Sequence, residues 1–224
     1  MTDGESGTTG AEPRSDGPRA NRDPDELARK RSLLTEPHVA PLADYVTRLR
    51  GERGADRVPD FDPTEAGVEA KILLLLEAPG GKATVERGGS GFVSPDNNDG
   101  SAENMWRLFQ ELGVDRRREV VTWNVVPWYI GGDSKIRPAE SSDLLEGQRY
   151  IEELVGLLPN LRVVVLIGKH AARGWQRLGI DLPTVEVPHP SPQNLNVRPH
   201  MRDQLRAGLQ HAREIARVVS NGTV

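Results

Sequence analysis

Three residue patterns in the chain invite a chemical reading, and each fails on spacing. Gly81-Lys82-Ala83 and Gly168-Lys169-His170 carry the Gly-Lys of a phosphate-binding loop. Neither has a glycine five residues earlier or a Ser/Thr after the lysine. Ser90 and Ser191 sit outside any Gly-x-Ser-x-Gly elbow. His38, His170, His189, His200 and His211 lack the His-Glu-x-x-His spacing of a zinc site. There is no cysteine, which excludes disulfides, thiolate nucleophiles, thiolate zinc sites and all-cysteine iron–sulfur clusters. What remains stands directly after apolar runs: Glu77-Ala-Pro-Gly80, Asn124 and His189-Pro-Ser-Pro192. They supply a carboxylate, an amide with donor and acceptor side by side, and an imidazole.

Those apolar runs are the elements that must position the polar groups. Ile72–Leu76 is continuously apolar and stopped by Pro79-Gly80-Gly81, the pattern of a strand buried on both faces. Val120–Trp123, Arg162–Ile167 and Thr184–Val187 read as three more strands. Helices are expected over Asp25–Leu34, over Pro41–Glu52 and from Ser101 to Gly113, the last with Met105, Leu108, Phe109 and Leu112 inward. Others are expected over Ser142–Leu158, with Leu145, Ile151, Leu154 and Leu158 inward, and over Lys169–Leu178 and Arg202–Val219. Asp56–Gly67 is turn-rich. Strands alternating with helices predict a three-layer α/β/α fold around a mainly parallel four-stranded sheet. Residues 77–100, 124–138 and 188–199 follow the carboxyl ends of three strands, where such sheets form their ligand crevice.

The chain has 224 residues and a mass of 24.6 kDa, enough for one domain with a tail. Residues 1–23 hold almost nothing apolar and read as a disordered tail. Residues 24–224 read as one domain, with an N-terminal helical extension over 25–67 and a core over 68–219. The net charge of −4 excludes a uniformly basic nucleic-acid coat, but residues 160–224 carry nine basic against four acidic side chains. An anionic polymer would meet that third of the chain; the alternative is a solvated basic helix. The apolar run Ile72–Leu76 is far short of the roughly 20 residues needed to span a bilayer. The polar N-terminus lacks an apolar signal core, so a soluble cytoplasmic protein is expected.

The order Glu77-Ala-Pro-Gly80, Phe92 in Gly91-Phe-Val-Ser94, Asn124 in Trp-Asn-Val-Val-Pro and His189-Pro-Ser-Pro192 resembles the uracil-DNA glycosylase superfamily over roughly residues 68–219. One branch of that family reads Gly-Glu-Ala-Pro-Gly, and here Leu76 replaces the leading glycine. Two departures stand out. The Glu-Ala-Pro-Gly branches usually hold a four-cysteine cluster, which this chain cannot build. The best-known branch has an Asp where Ala78 stands. A related branch that also has alanine there carries an Asp past the stacking aromatic and just before the next helix. Asp99 matches it, with Asp96 as the nearby alternative.

The resemblance implies a DNA glycosylase of base-excision repair that flips a nucleotide and hydrolyses the N-glycosidic bond of uracil or a related deaminated base, as a monomer and without a metal or other cofactor. It implies Phe92 as the stacking ring, Asn124 as the reader of the pyrimidine edge, and Ala78 and Pro79 beside the base. His189 would act as donor to the departing base, with Asp99 or Glu77 positioning water. Ser191, Asn194, Leu195 and Arg198 would meet the DNA, with Leu195 as a wedge into the base stack. For Phe92 the alternative is a core or loop-anchoring residue, for Asp99 a helix cap, and for Leu195 a buried side chain. Trp123, Trp128 and Trp175 read as core or rim packing. Two rival functions share the fold: a non-catalytic binder of modified DNA, motivated by Ala78, and a small-nucleoside hydrolase, motivated by the acidic net charge.

Overall fold

The computed structural model describes residues 17–132 and 136–218. In chain order it forms α1 (Pro24–Ser32), α2 (Ala40–Arg53), β1 (Asp60–Phe61), β2 (Ile72–Leu76), β3 (Phe92–Val93), α3 (Gly100–Leu112) and α4 (Arg116–Glu119). Then follow β4 (Val120–Asn124), α5 (Ser141–Gly156), β5 (Val163–Ile167), α6 (Lys169–Gln176), β6 (Thr184–Val187), α7 (Pro192–Val197) and α8 (Pro199–Val218). Four strands make one parallel sheet in the order β4-β2-β5-β6. β2 therefore has β4 on one side and β5 on the other. The connections after it diverge and leave a crevice at its carboxyl end.

Alternation along the strands divides the core into two layers. Leu73, Leu75, Val121, Trp123, Val164 and Leu166 face α2, α5 and α6. Ile72, Leu74, Val163, Val165 and Ile167 face α3 and α8. This is the three-layer α/β/α arrangement expected from the alternation of elements. Trp123, Trp128 and Trp175 are all buried in the first layer, and Trp123 stacks on Phe61 at 3.6 Å between ring centroids.

The structure departs from the sequence reading at four places. β1 and β3 pair in a separate two-stranded parallel sheet, Asp60 opposite Phe92 and Phe61 opposite Val93; two-residue strands carry no periodicity to read. The 188–199 segment, for which the sequence reading placed no helix, holds the short helix α7, capped by the Ser191 side chain. In α5 the inward leucine is Leu144, whereas Leu145 is 62% exposed. Residues 20–22, assigned to the tail by composition, form a 3₁₀ turn with Asn21 buried; residues 1–16 of that stretch lie outside the described residues. Among the described residues no helix is long and apolar enough to cross a membrane.

The two leucines of α5 give a direct check. Leu144→Ala is expected to cost about 2–5 kcal/mol of unfolding free energy. Leu145→Ala should stay within about 0.5 kcal/mol of the parent. Urea denaturation of both variants measures the difference.

Candidate active site

A cavity of about 390 Å³ opens at the carboxyl ends of the strands. Leu74, Leu76 and Ile167 from the sheet and Met105 and Phe109 from α3 make its floor apolar. The polar groups come from four segments: Glu77 and the exposed Lys82 after β2, Ser94, Asn97, Asp99 and Ser101 around the start of α3, Thr122 and Asn124 on β4, and His189 after β6. Of the residues expected in the site, Glu77, Ala78, Pro79, Asp99, Asn124 and His189 therefore share one lining.

The register of the sheet sets Asn124. It pairs with Leu76 at the end of the β2–β4 ladder, and the ladder continues as Val125 N–H donates to the Leu76 carbonyl at 2.8 Å. The side chain is 2% exposed, and its Nδ2 has no hydrogen-bond partner. A buried donor without an acceptor costs roughly 1–3 kcal/mol, so the cavity holds an amide that an incoming carbonyl would satisfy.

His189 is largely enclosed. Burial pushes its pKa below the usual value, and the nearby carboxylates of Glu77 and Asp99 oppose this only in part. The Ser191 N–H donates to its Nδ1 at 3.2 Å. A neutral ring that accepts at Nδ1 carries its proton on Nε2. The imidazole is thus a neutral donor.

The start of α3 fixes both the acid and the histidine loop. Asp99 is the N-cap: its Oδ1 accepts from the N–H groups of Ser101 at 2.9 Å and Ala102 at 3.0 Å. Gly100 follows because Pro192 packs against it; a Cβ there would lie 2.4 Å from Pro192 Cγ. One turn on, Asn104 Nδ2 donates to the Pro190 carbonyl at 2.8 Å. Glu77 accepts from the Ala139 N–H at 2.6 Å, so it also ties down the segment leading to α5.

The remaining expected residues lie outside the lining. Phe92 is 1% exposed. Neighbouring strand residues point to opposite sides, and it is Val93 that borders the cavity, so the ring is an internal anchor with no face open to a ligand. Asp96 is fully buried between Lys30 and Arg116 and lies outside the cavity lining, whereas Asp99 is in it. Ser191 and Asn194 shape the histidine loop: Ser191 Oγ accepts from the Asn194 N–H at 3.3 Å, and Asn194 Nδ2 donates to the His189 carbonyl at 3.2 Å. Leu195 is half-buried against the α3–α8 layer, while Val197 on the same short helix is 73% exposed. Arg198 is exposed just beyond.

Sequence reasoning missed Thr122 and Glu65. Thr122 stands two residues before Asn124 and so faces the same way, a signal the strand period offered. Its N–H and hydroxyl donate to Glu65 at 2.7 Å and 2.8 Å. Nothing in the turn-rich 56–67 segment pointed to Glu65. Burial raises its pKa to about 8, against the opposing charge of Arg116.

A protein-family model, the Uracil DNA glycosylase superfamily, matches residues 63–212. The chain belongs to that superfamily, which places it among glycosylase-like proteins of DNA repair. No curated protein matches the sequence at a significant level. Among solved structures, the chain is similar to the solution NMR structure of a protein from Methanosarcina acetivorans named as a "putative Uracil DNA glycosylase". Identity is 19%, the match covers 70% of this chain and 98% of that one, and the TM-score is 0.42. The four-thiolate cluster of some branches does not fit here, because the chain has no cysteine to hold it.

Glu65 gives a pH prediction. Its folded pKa, about 8, stands above its ordinary 4.5. Its contribution to stability is therefore full below pH 4.5 and is lost as pH rises through 8. Relative to Glu65→Gln, the parent should lose stability between pH 5 and 9 by up to about 1.4 kcal/mol per pH unit. Urea midpoints of the two proteins across that range check the sign.

Proposed function

We propose that the protein is a monofunctional DNA glycosylase that removes uracil, or a closely related deaminated base, from a flipped nucleotide. The observation that carries the reading is the unpartnered, buried Asn124 Nδ2 in a cavity that also holds His189 and Asp99. Uracil presents an acceptor, O4, beside a donor, N3–H. An asparagine amide matches that pair with Nδ2 and Oδ1. Cytosine presents an amino donor where O4 would be, so it would leave Nδ2 unsatisfied and face a donor. The cavity volume equals on the order of a dozen water volumes, ample for one base on an apolar floor.

The chemistry follows from what each group can do. Bond cleavage leaves negative charge on the base and oxocarbenium character on the sugar. The neutral His189 Nε2–H donates toward the base O2 as charge grows there, and needs no proton transfer to do so. The Asp99 carboxylate, with Oδ1 engaged by the helix start, presents its other oxygen to water beside C1′ and to the developing cation. Glu77 supports the water from across the cavity. Without an exposed Phe92, the base is sandwiched by Ala78–Pro79 and aliphatic side chains. Val197, in place of Leu195, is the apolar side chain that enters the stack, and Arg198 meets a backbone phosphate.

Asp99 also favours one other reading. A carboxylate spent on capping α3 suits a protein that recognises uracil-containing DNA without turning it over. Uracil in single- and double-stranded oligonucleotides, incubated with protein and then treated with alkali, separates the two. Strand cleavage at uracil supports the enzyme. Binding without cleavage, unaffected by Asp99→Asn, supports the binder.

For the enzyme, His189→Ala is expected to lower single-turnover rate about 10²–10³-fold, and Asp99→Asn about 10²–10⁴-fold. Asn124→Ala should lose discrimination between uracil and cytosine as well as rate. Full turnover in all three variants would refute the assignment. Arg198→Ala should reduce the slope of log affinity against log salt by about one.

A further inference from the structure

The wall that carries Asp99 is held from behind by a part of the chain outside the matched family region. Residues 94–99 run between β3 and α3. Ser94, Pro95, Asn97 and Asp99 face the cavity. On the opposite side, residues 19–30 grip the same stretch at successive positions. Lys30 Nζ, fully buried, donates to Asp96 Oδ2 at 2.6 Å and to Asp62 Oδ2 at 2.8 Å. The Asn21 N–H donates to the Asp96 carbonyl at 3.1 Å, and Asn21 Nδ2 donates to Asn97 Oδ1 at 2.8 Å. Arg19 reaches Asn98 Oδ1 at 3.0 Å and Glu103, on α3, at 2.8 Å. Arg19 holds this pose with φ at +65°, a conformation that is rare for a side-chain-bearing residue. The family match begins at residue 63, so all three gripping residues lie upstream of it.

We infer that Asn21 and Lys30 are positioning residues of the active site, which act by fixing the backbone of residues 94–99 and thereby the Asp99 carboxylate. The inference rests on the reading of Asp99 as the group that orients water. Misplacing such a group by about 1 Å can cost on the order of 10²-fold in rate. The clamp reaches the cavity only through the 94–99 wall and has no bond to Asn124 or to α7, so its loss should change the chemical step and spare DNA affinity.

The test uses full-length protein. Asn21→Ala removes the buried side-chain bond to Asn97 with little volume change and leaves the Asn21 N–H bond to Asp96; Lys30→Met removes the ammonium and keeps the length. Single-turnover cleavage of uracil DNA, DNA affinity and hydrogen exchange of amides 96–99 are measured below each variant's melting transition. Expected are a tenfold or greater fall in rate, unchanged affinity, and at least tenfold faster exchange at residues 96–99 with β5 unchanged. In an Asp99→Asn background the same substitution should cost nothing further, because its effect runs through that carboxylate. An unchanged rate, or an equal loss with and without Asp99, would overturn the inference. Should Lys30→Met fail to fold, Asn21→Ala carries the test. Should the parent show no cleavage of uracil DNA, the glycosylase reading falls by itself, and unaltered exchange at 96–99 would separately overturn the clamp.

Discussion

Two carboxylates and two cations share a space from which water is excluded, and the geometry of the site depends on them. Lys30 and Arg116 each bond to both Asp62 and Asp96. Burial alone would raise the Asp62 pKa, but the charges of Lys30 and Arg116 outweigh it and hold the carboxyl well below its usual range. Burial likewise disfavours the Lys30 ammonium, and the two aspartates more than restore it. Such a cluster is not a large source of net stability, since apolar residues of equal volume would do about as well. What it adds is direction. A hydrocarbon contact tolerates a slide of an ångström, whereas Asp96, held by Lys30 on one oxygen and by Arg116 on both, fixes the segment that leads to Asp99.

The same economy appears at the first turn of α3. One helix start caps itself with Asp99, admits Pro192 against Gly100, and bonds the Pro190 carbonyl through Asn104. Acid and imidazole come from segments 90 residues apart in sequence, yet both are referenced to this one turn. The sheet then supplies the third coordinate: Asn124 is fixed by its register opposite Leu76. The constellation is thus referenced to backbone at three points: the first turn of α3, the Pro190 carbonyl and the β2–β4 register.

How much of this was legible follows from the range of the signals. β2 and β6 were readable to the residue: β2 is a buried apolar run stopped by Pro79-Gly80, and β6 is an alternating stretch between Pro183 and Pro188, both local signals. The motif residues Glu77, Asn124 and His189 were readable because each follows such a strand. Phe92 was identifiable as an aromatic in the right order, but the direction of its ring is set by pairing with Asp60, 32 residues earlier. That Asp96 turns away from the cavity rests on Lys30, 66 residues away, and no local pattern encodes it. The adjacent leucines of α5 differ only in helical phase, which an error of one residue shifts by about 100°. Polar composition hid the order at residues 20–22, because Asn21 is held by amide hydrogen bonds rather than by apolar burial.

The distribution of charge ties these points to the chemistry. The full charges of the Lys30 cluster are paired, and they lie behind the 94–99 wall. The cavity itself has an apolar floor, two carboxylates, a neutral imidazole and an uncharged amide, with the exposed Lys82 also in its lining. In low dielectric an unpaired cation at the imidazole position would bind any anion in the resting state, including the phosphates that surround every nucleotide. On the glycosylase reading proposed above, a neutral donor is nearly indifferent to the uncharged base and gains strength only as charge develops on O2. That difference between ground and transition state is what accelerates a reaction. Enclosure keeps His189 neutral, and the Ser191 N–H selects the tautomer with its proton on Nε2. On that reading, the short loop that carries both residues sets the form in which the imidazole would meet a base.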